Sequence, residues 1–145
     1  MYKTNNIILK TTTSLIAFIL LGFAVYLFFA GHNSPGGGFV GGLVTSAAIV
    51  LLYMSYGMDA IEKILPIDFK ILIPIGLIIA LFCGVGAFAF NMPFLTHTFG
   101  EITIPILGEF ELATAMIFDL GVYLTVLGTT VSIIINIAEN QNRTE

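Results

Sequence analysis

A chain of 145 residues that is 57% hydrophobic and 10% charged cannot hide its apolar surface in a water-soluble fold of this size, because small domains bury only part of what they would expose. Its solvent is lipid. A net charge of -4 with only five basic residues excludes a nucleic-acid track, and a single cysteine, Cys83, excludes an intrachain disulfide.

Met1 to Lys10 is a polar flank whose charges are Lys3 and Lys10. Residues 11-30 carry no charge, and at about 1.5 Å per residue such a run crosses a ~30 Å hydrocarbon core. This predicts a first membrane span. A cleaved signal peptide is the rival reading, but the run is longer than an ordinary signal core. Phe28 also occupies the small-residue position that cleavage before Gly31 would need.

The stretch Gly31-His32-Asn33-Ser34-Pro35-Gly36-Gly37-Gly38-Phe39-Val40-Gly41-Gly42 follows, with six glycines in twelve residues. It predicts a compact, closely packed turn between spans, in which Asn33 or Ser34 satisfies free backbone donors. It matches neither the phosphate loop of nucleotide enzymes, whose lysine is missing, nor a strand-to-helix dinucleotide turn. A second span is expected over residues 39-57. Its small residues Gly38, Gly42, Thr45, Ser46 and Ala47 let a neighbouring helix approach closely.

Met58 to Lys70 reads as a polar connector with Asp59, Glu62, Lys63, Asp68 and Lys70, broken by Pro66. A third span covers residues 71-90, with Pro74 expected in its first turn, where a missing donor costs little. Asn91 to Glu111 is a mixed connector containing His97, Glu101, Glu109 and Glu111. Within it, residues 99-105 alternate in part between apolar and polar, the pattern of a short extended segment or hairpin. A fourth span covers residues 112-137, before a polar tail.

These readings give an all-α integral membrane protein, one membrane domain over residues 1-145 with four transmembrane helices. Lys3, Lys10, Lys63, Lys70 and Arg143 fall in the flank, the second connector and the tail, which four spans place on one side. By the excess of basic residues in cytoplasmic loops, the N- and C-termini are expected to be cytoplasmic.

One acid stands inside the fourth span. Asp119 lies roughly 10 Å into the apolar slab, where a carboxylate costs about 2.5 to 3.5 kcal/mol and must face protein or water. It is a candidate proton or cation relay, or else a buried carboxyl bonded to a neighbouring helix or subunit. Tyr123, one turn on, shares its face. Glu101, Glu109 and Glu111 are candidates for concentrating cations at an outer mouth, with His97 beside them, and a solvated loop explains them equally. His32 and His97 fall short of a zinc ligand set, so no metal and no cofactor is expected. Gly121 and Gly128 form a packing seam. No nucleophile and base pair argues for an enzyme.

Four stretches together resemble the B subunit of the Mrp (Mnh) multisubunit Na+/H+ antiporters. They are the glycine-rich turn Gly31 to Gly42, Leu65-Pro66-Ile67-Asp68-Phe69-Lys70, Phe94-Leu95-Thr96-His97, and Phe118-Asp119-Leu120-Gly121-Val122-Tyr123-Leu124. The resemblance implies a small multi-pass subunit of the bacterial cell membrane, assembled with the other subunits, A to G, of a complex that exchanges Na+ for H+. Lipid contact and no nucleic-acid partner follow from the composition and charge already given. The alternatives are a purely structural scaffold of that complex or of a related membrane-bound hydrogenase assembly, and a stand-alone four-helix exporter. One deep acid, without an internal repeat, makes an incomplete transporter alone.

Overall fold

The computed structural model describes residues 6–31, 37–89 and 105–144. These form α1 (Asn6–Ala30), α2 (Gly37–Tyr56), α3 (Met58–Ile64), α4 (Phe69–Ala89) and α5 (Pro105–Thr144). All but α3 are long and apolar enough to cross a membrane, so the four expected spans are present. No strand occurs among the described residues.

Several boundaries differ from expectation, each for a local reason. Helix α1 starts at Asn6, because Ile7, Ile8 and Leu9 extend the apolar run past Lys10. Helix α2 begins at Gly37, so Gly37 and Gly38, which precede the expected span, are helical as well. It ends at Tyr56 because Gly57 takes φ 85, a left-handed backbone that glycine enters without steric cost. The chain then turns into α3, and the expected polar connector is half helix. Asp68 caps α4 by accepting the Lys70 backbone N–H at 3.1 Å. Since α4 starts at Phe69, Pro74 lies in its second turn rather than its first, and the Lys70 carbonyl lacks its helical donor.

The last part of the expected outer connector is also helical, because Pro105 occupies the first position of α5, where proline is well tolerated. At about 1.5 Å per residue, a helix from Pro105 to Thr144 is roughly 60 Å long and overreaches the hydrocarbon core. Of the segment expected to be extended, residues 99–104 lie outside the described residues, and Pro105 opens the helix.

The helices stand in an open row rather than a closed bundle. α1 packs on α2, α2 on α5 and α5 on α4, and among the described residues no comparable face joins α1 to α4. Contacts along the pairs fix the directions. Gly31 meets Gly37 at one end of α1 and α2, and Ser14 reaches Tyr56 at the other (2.5 Å), so these two run antiparallel. Gly38 meets Asp119 and Gly42 meets Tyr123, so α2 and α5 run parallel. Gly121 meets Gly76 and Ala80 while Gly128 meets Phe69, so α4 and α5 are antiparallel.

This topology gathers Lys10, Tyr56, α3, Lys70 and Arg143 at one end, the basic end. The glycine turn lies at the other. At the basic end, Lys10 Nζ stands 5.5 Å from the centre of the Tyr56 ring. The core there is apolar, with Ile49, Phe69, Leu127 and Val131 buried together.

Helix α2 fits between two neighbours because its glycines form two stripes. Gly37 and Gly41, one turn apart, face α1, where a Cβ on Gly41 would stand 3.3 Å from the Ala24 carbonyl. Gly38 and Gly42 face α5 in the same way, with a Cβ on Gly42 3.1 Å from the Tyr123 carbonyl. Glycine costs a helix about 1 kcal/mol, and the close backbone approach it permits on both flanks offsets that cost. The outward faces carry large apolar residues such as Phe18, Ile19, Leu81 and Phe82, suited to lipid or to other membrane chains.

Candidate functional site

The glycine stripes place one acid beside a helix start. α2 carries no acid in its own first turn. The α5 residue Asp119 takes that place, with Oδ2 3.4 Å from where a Cβ on Gly37 would be. The first turn of a helix holds backbone N–H groups without helical partners and a partial positive charge, so a carboxylate is well placed there. Asp119 is roughly 9 Å inside the apolar stretch Ala113–Gln141, at the glycine end of the row. A Cβ on Gly38 would overlap the Asp119 carbonyl, so bare backbone at that position is what lets α5 come so close.

One turn further along α5, the Tyr123 hydroxyl lies 2.8 Å from Thr45 Oγ1 of α2. Thr45 in turn donates to the Gly41 carbonyl at 2.9 Å. The Phe28 ring of α1 packs edge-on against the Tyr123 ring, with centroids 5.5 Å apart. Three helices therefore meet at Tyr123 and the buried Thr45. The arrangement pairs a carboxyl able to take or release a proton with a phenol and an alcohol able to reorient theirs.

The same small-residue logic operates on the opposite face of α5 without the acid. A Cβ on Gly76 would crowd the Gly121 carbonyl and Thr125, and Thr125 donates back to the Gly121 carbonyl at 2.8 Å. Gly121 and Gly128 thus pack on α4 within this chain. Ser46, fully buried, donates to the Gly42 carbonyl at 2.7 Å. Hydroxyls satisfied by the preceding turn in this way are buried without needing a partner across the seam.

The expected candidates divide. Asp119 meets Gly37 and Gly38 and Tyr123 meets Gly42, whereas Gly31 meets Gly37 and Phe28, and Gly41 meets Ala24 and Phe28 of α1. Phe39, by contrast, is exposed on the outside of α2. Glu109 and Glu111 belong to the first turns of α5, on the order of 12 to 15 Å along the axis before Asp119. His32, Asn33, Pro35, Gly36, His97 and Glu101 lie outside the described residues. Among the described residues no group of three or more His, Cys, Asp or Glu side chains gathers as metal ligands.

Sequence reasoning missed Thr45 as a polar partner and Phe28 as the wall of the site. The signal for Thr45 was present, a hydroxyl one turn after a seam glycine, repeated at Gly42 with Ser46 and at Gly121 with Thr125. A second concavity, an open groove of about 400 Å³ at the basic end, is lined by Tyr53, Glu62, Asp68, Lys70, Ser132 and Glu139 among others.

Comparison with known proteins shows the family. The family model described as a domain related to the MnhB subunit of Na+/H+ antiporter matches residues 8–132. The B subunit of the Na(+)/H(+) antiporter of Bacillus subtilis is 55% identical over 139 residues, which is 96% of this chain and 97% of that protein. Its namesake from Alkalihalophilus pseudofirmus is 51% identical over 138 residues, 95% of this chain and 96% of that protein. A putative antiporter subunit mnhB2 of Staphylococcus epidermidis is 43% identical over 136 residues, 94% of this chain and 96% of that protein.

Proposed function

The chain belongs to the MnhB family, the B subunits of Na+/H+ antiporters, and on that footing we propose that Asp119, seated on the first turn of α2, takes part in the ion or proton path of the assembled antiporter. The protein is a multi-pass cell-membrane component of a multisubunit Na+/H+ antiporter, part of a transporter and not an enzyme.

The observation that carries the reading is the placement of Asp119. A carboxylate inside an apolar span is expensive, and helix starts with free N–H groups are among the few places that tolerate its charge. The neutral acid is the form that burial in an apolar span favours, so the carboxyl has support in both forms. A group stable in both forms is what a proton-coupled exchange needs. The open row supports the assembly with other subunits: α1 and α4 each leave most of their surface uncovered by this chain.

The glycine-turn end faces outward in this reading, with both termini and the basic end cytoplasmic. The support is the gathering of Lys10, Lys63, Lys70 and Arg143 at one end and the cytoplasmic bias of such residues. Reporters fused after Ala30 and after Pro66 report the outside and the cytoplasm respectively if this holds, and the reverse if the row is inserted the other way.

The decisive experiment on Asp119 uses the whole complex in everted vesicles. Asp119→Asn is expected to leave the chain in the complex extracted with mild detergent and to abolish Na+/H+ exchange, while Asp119→Glu retains part of it. Loss of the complex in Asp119→Asn supports the scaffold reading instead, and full exchange in an assembled Asn variant removes Asp119 from the path.

A further inference from the structure

The groove at the basic end contains a hydroxyl that breaks the habit of the others. Thr45, Ser46 and Thr125 each donate to the carbonyl four residues back in their own helix. Ser132 of α5 does not. It is 7% exposed, and its buried Oγ has no hydrogen-bond partner among the described residues. Leaving a buried hydroxyl unbonded is costly, and Ser132 lines the groove, so a molecule seated there is what it can bond.

The rest of the lining says what kind of molecule. Glu62 of α3, Asp68 just before α4 and Glu139 of α5 bring three carboxylates, beside the Tyr53 hydroxyl of α2, and Lys70 supplies one ammonium. Groups that only accept thus outnumber the cation, which favours a ligand rich in N–H donors. A bare metal ion fits poorly. The groove measures about 400 Å³, and among the described residues no three acids gather closely enough to hold such an ion. Lys70 stands in the first turn of α4, where the helix adds its own partial positive charge. The groove therefore has a side for a cation and a side for an anion, the complement of a zwitterion.

Its depth matches that of lipid headgroups. Ser132 lies roughly 28 Å along α5 from Ala113, and Tyr53 is in the last turn of α2, so the groove sits where a ~30 Å hydrocarbon core gives way to the interface. Leu65, Phe69 and Ile135 add apolar wall. An anionic headgroup without an amine would set its charge against three carboxylates with one lysine to balance them. A quaternary amine has no N–H to give.

We propose that this groove binds the headgroup of an amine-bearing zwitterionic phospholipid, of the phosphatidylethanolamine type. The ammonium lies among Glu62, Asp68 and Glu139, the phosphate lies by Lys70, and the Ser132 hydroxyl bonds the headgroup. Helix α3 packs mainly on α2, so a headgroup shared by Glu62 and Glu139 also fastens α3 to α5.

The test uses the whole complex in vesicles of equal parts phosphatidylethanolamine and phosphatidylglycerol. A water-soluble carbodiimide condenses a carboxyl with an amine lying against it into an amide, with loss of water, and mass spectrometry reads the peptides of this chain. The mass of phosphatidylethanolamine is expected on Glu62 or Glu139, with little on Asp59, which is exposed on α3 but does not line the groove. Ser132→Ala keeps every carboxylate. It is expected to cut the coupling roughly 3- to 10-fold, the size of one lost hydrogen bond. The lipid-free complex should lose no thermal stability, since the deleted hydroxyl has no partner in the described chain. Lys70→Met is expected to lower the coupling as well, by releasing the phosphate.

Equal coupling at Asp59, no lipid mass on the groove acids, or their coupling to a lysine of another subunit overturns the proposal. So does undiminished coupling in Ser132→Ala. Should that variant not assemble, Lys70→Met, a change at an exposed residue, decides in its place, and undiminished coupling there is equally fatal.

Discussion

The two faces of α5 are built alike and differ in one respect. Toward α4, Gly121 and Gly128 admit the neighbouring backbone, and Thr125 turns its hydroxyl back to the Gly121 carbonyl. Toward α2, the glycines come from the partner helix, as Gly38 and Gly42, and α5 contributes Asp119 and Tyr123. On the α4 face Thr125 keeps its hydroxyl bond within α5, whereas on the α2 face Tyr123 carries a hydrogen bond across the seam to Thr45. Close packing is common to both; the described bond between hydroxyls of two helices lies on the α2 face. That separates what holds the row together from what gives it chemistry.

The comparison breaks most severely if packing and chemistry on the α2 face are separable after all. A leucine at Gly38 has no room, since even a Cβ there overlaps the Asp119 carbonyl, and the obstacle is backbone rather than a flexible side chain. Gly38→Leu is expected to remove the chain from the complex, seen as loss of the assembled band in native electrophoresis and of exchange. Normal yield with normal exchange from this variant would mean that α2 and α5 do not meet as described.

A smaller effect is expected on the other face. A Cβ on Gly76 would stand about 2.5 Å from the Gly121 carbonyl, so α4 must shift away from α5. Overpacking of this kind costs about 1 to 3 kcal/mol. Gly76→Ala should therefore lower the thermal stability of the extracted complex while exchange per assembled complex stays at the parent level. A selective loss of exchange at unchanged stability would place chemistry on the α4 face and erase the distinction.

How much of this was legible in the letters depends on what each feature answers to. The four spans were legible because lipid demands uninterrupted apolar runs, and Asp119 was legible because nothing else in its run is charged. The row order was not, since helices apolar all round carry no stripe that says which faces meet. The start of α5 was misread because Glu109 and Glu111 suggest a loop, yet a helix that projects beyond the bilayer needs no apolar face there. The start of α2 was misread for the opposite reason. Glycine in a single sequence signals a turn, and the spacing of Gly37 with Gly41 and Gly38 with Gly42, which marks two helix seams, weighed less than the proline and glycines just before it. Thr45 was seen only as small, because its role depends on Tyr123, 78 residues away in the chain.

The smallest expected effect is the sharpest control, the same chemical change made on each face of α5. Thr125→Val removes a hydroxyl just as Thr45→Val does, and both hydroxyls donate to a glycine carbonyl one turn back. That shared bond adds little, because the carbonyl also has its helical N–H donor, and such bonds even tend to bend a helix. Thr125→Val should therefore change stability by less than about 1 kcal/mol and leave the rate and pH profile of exchange untouched. Thr45 differs in being buried and in its second bond, the one to Tyr123. A loss of exchange in Thr45→Val beyond that in Thr125→Val would therefore belong to the α2 face and not to the bond both hydroxyls make to the preceding turn. Equal effects in the two variants would reduce both faces of α5 to packing.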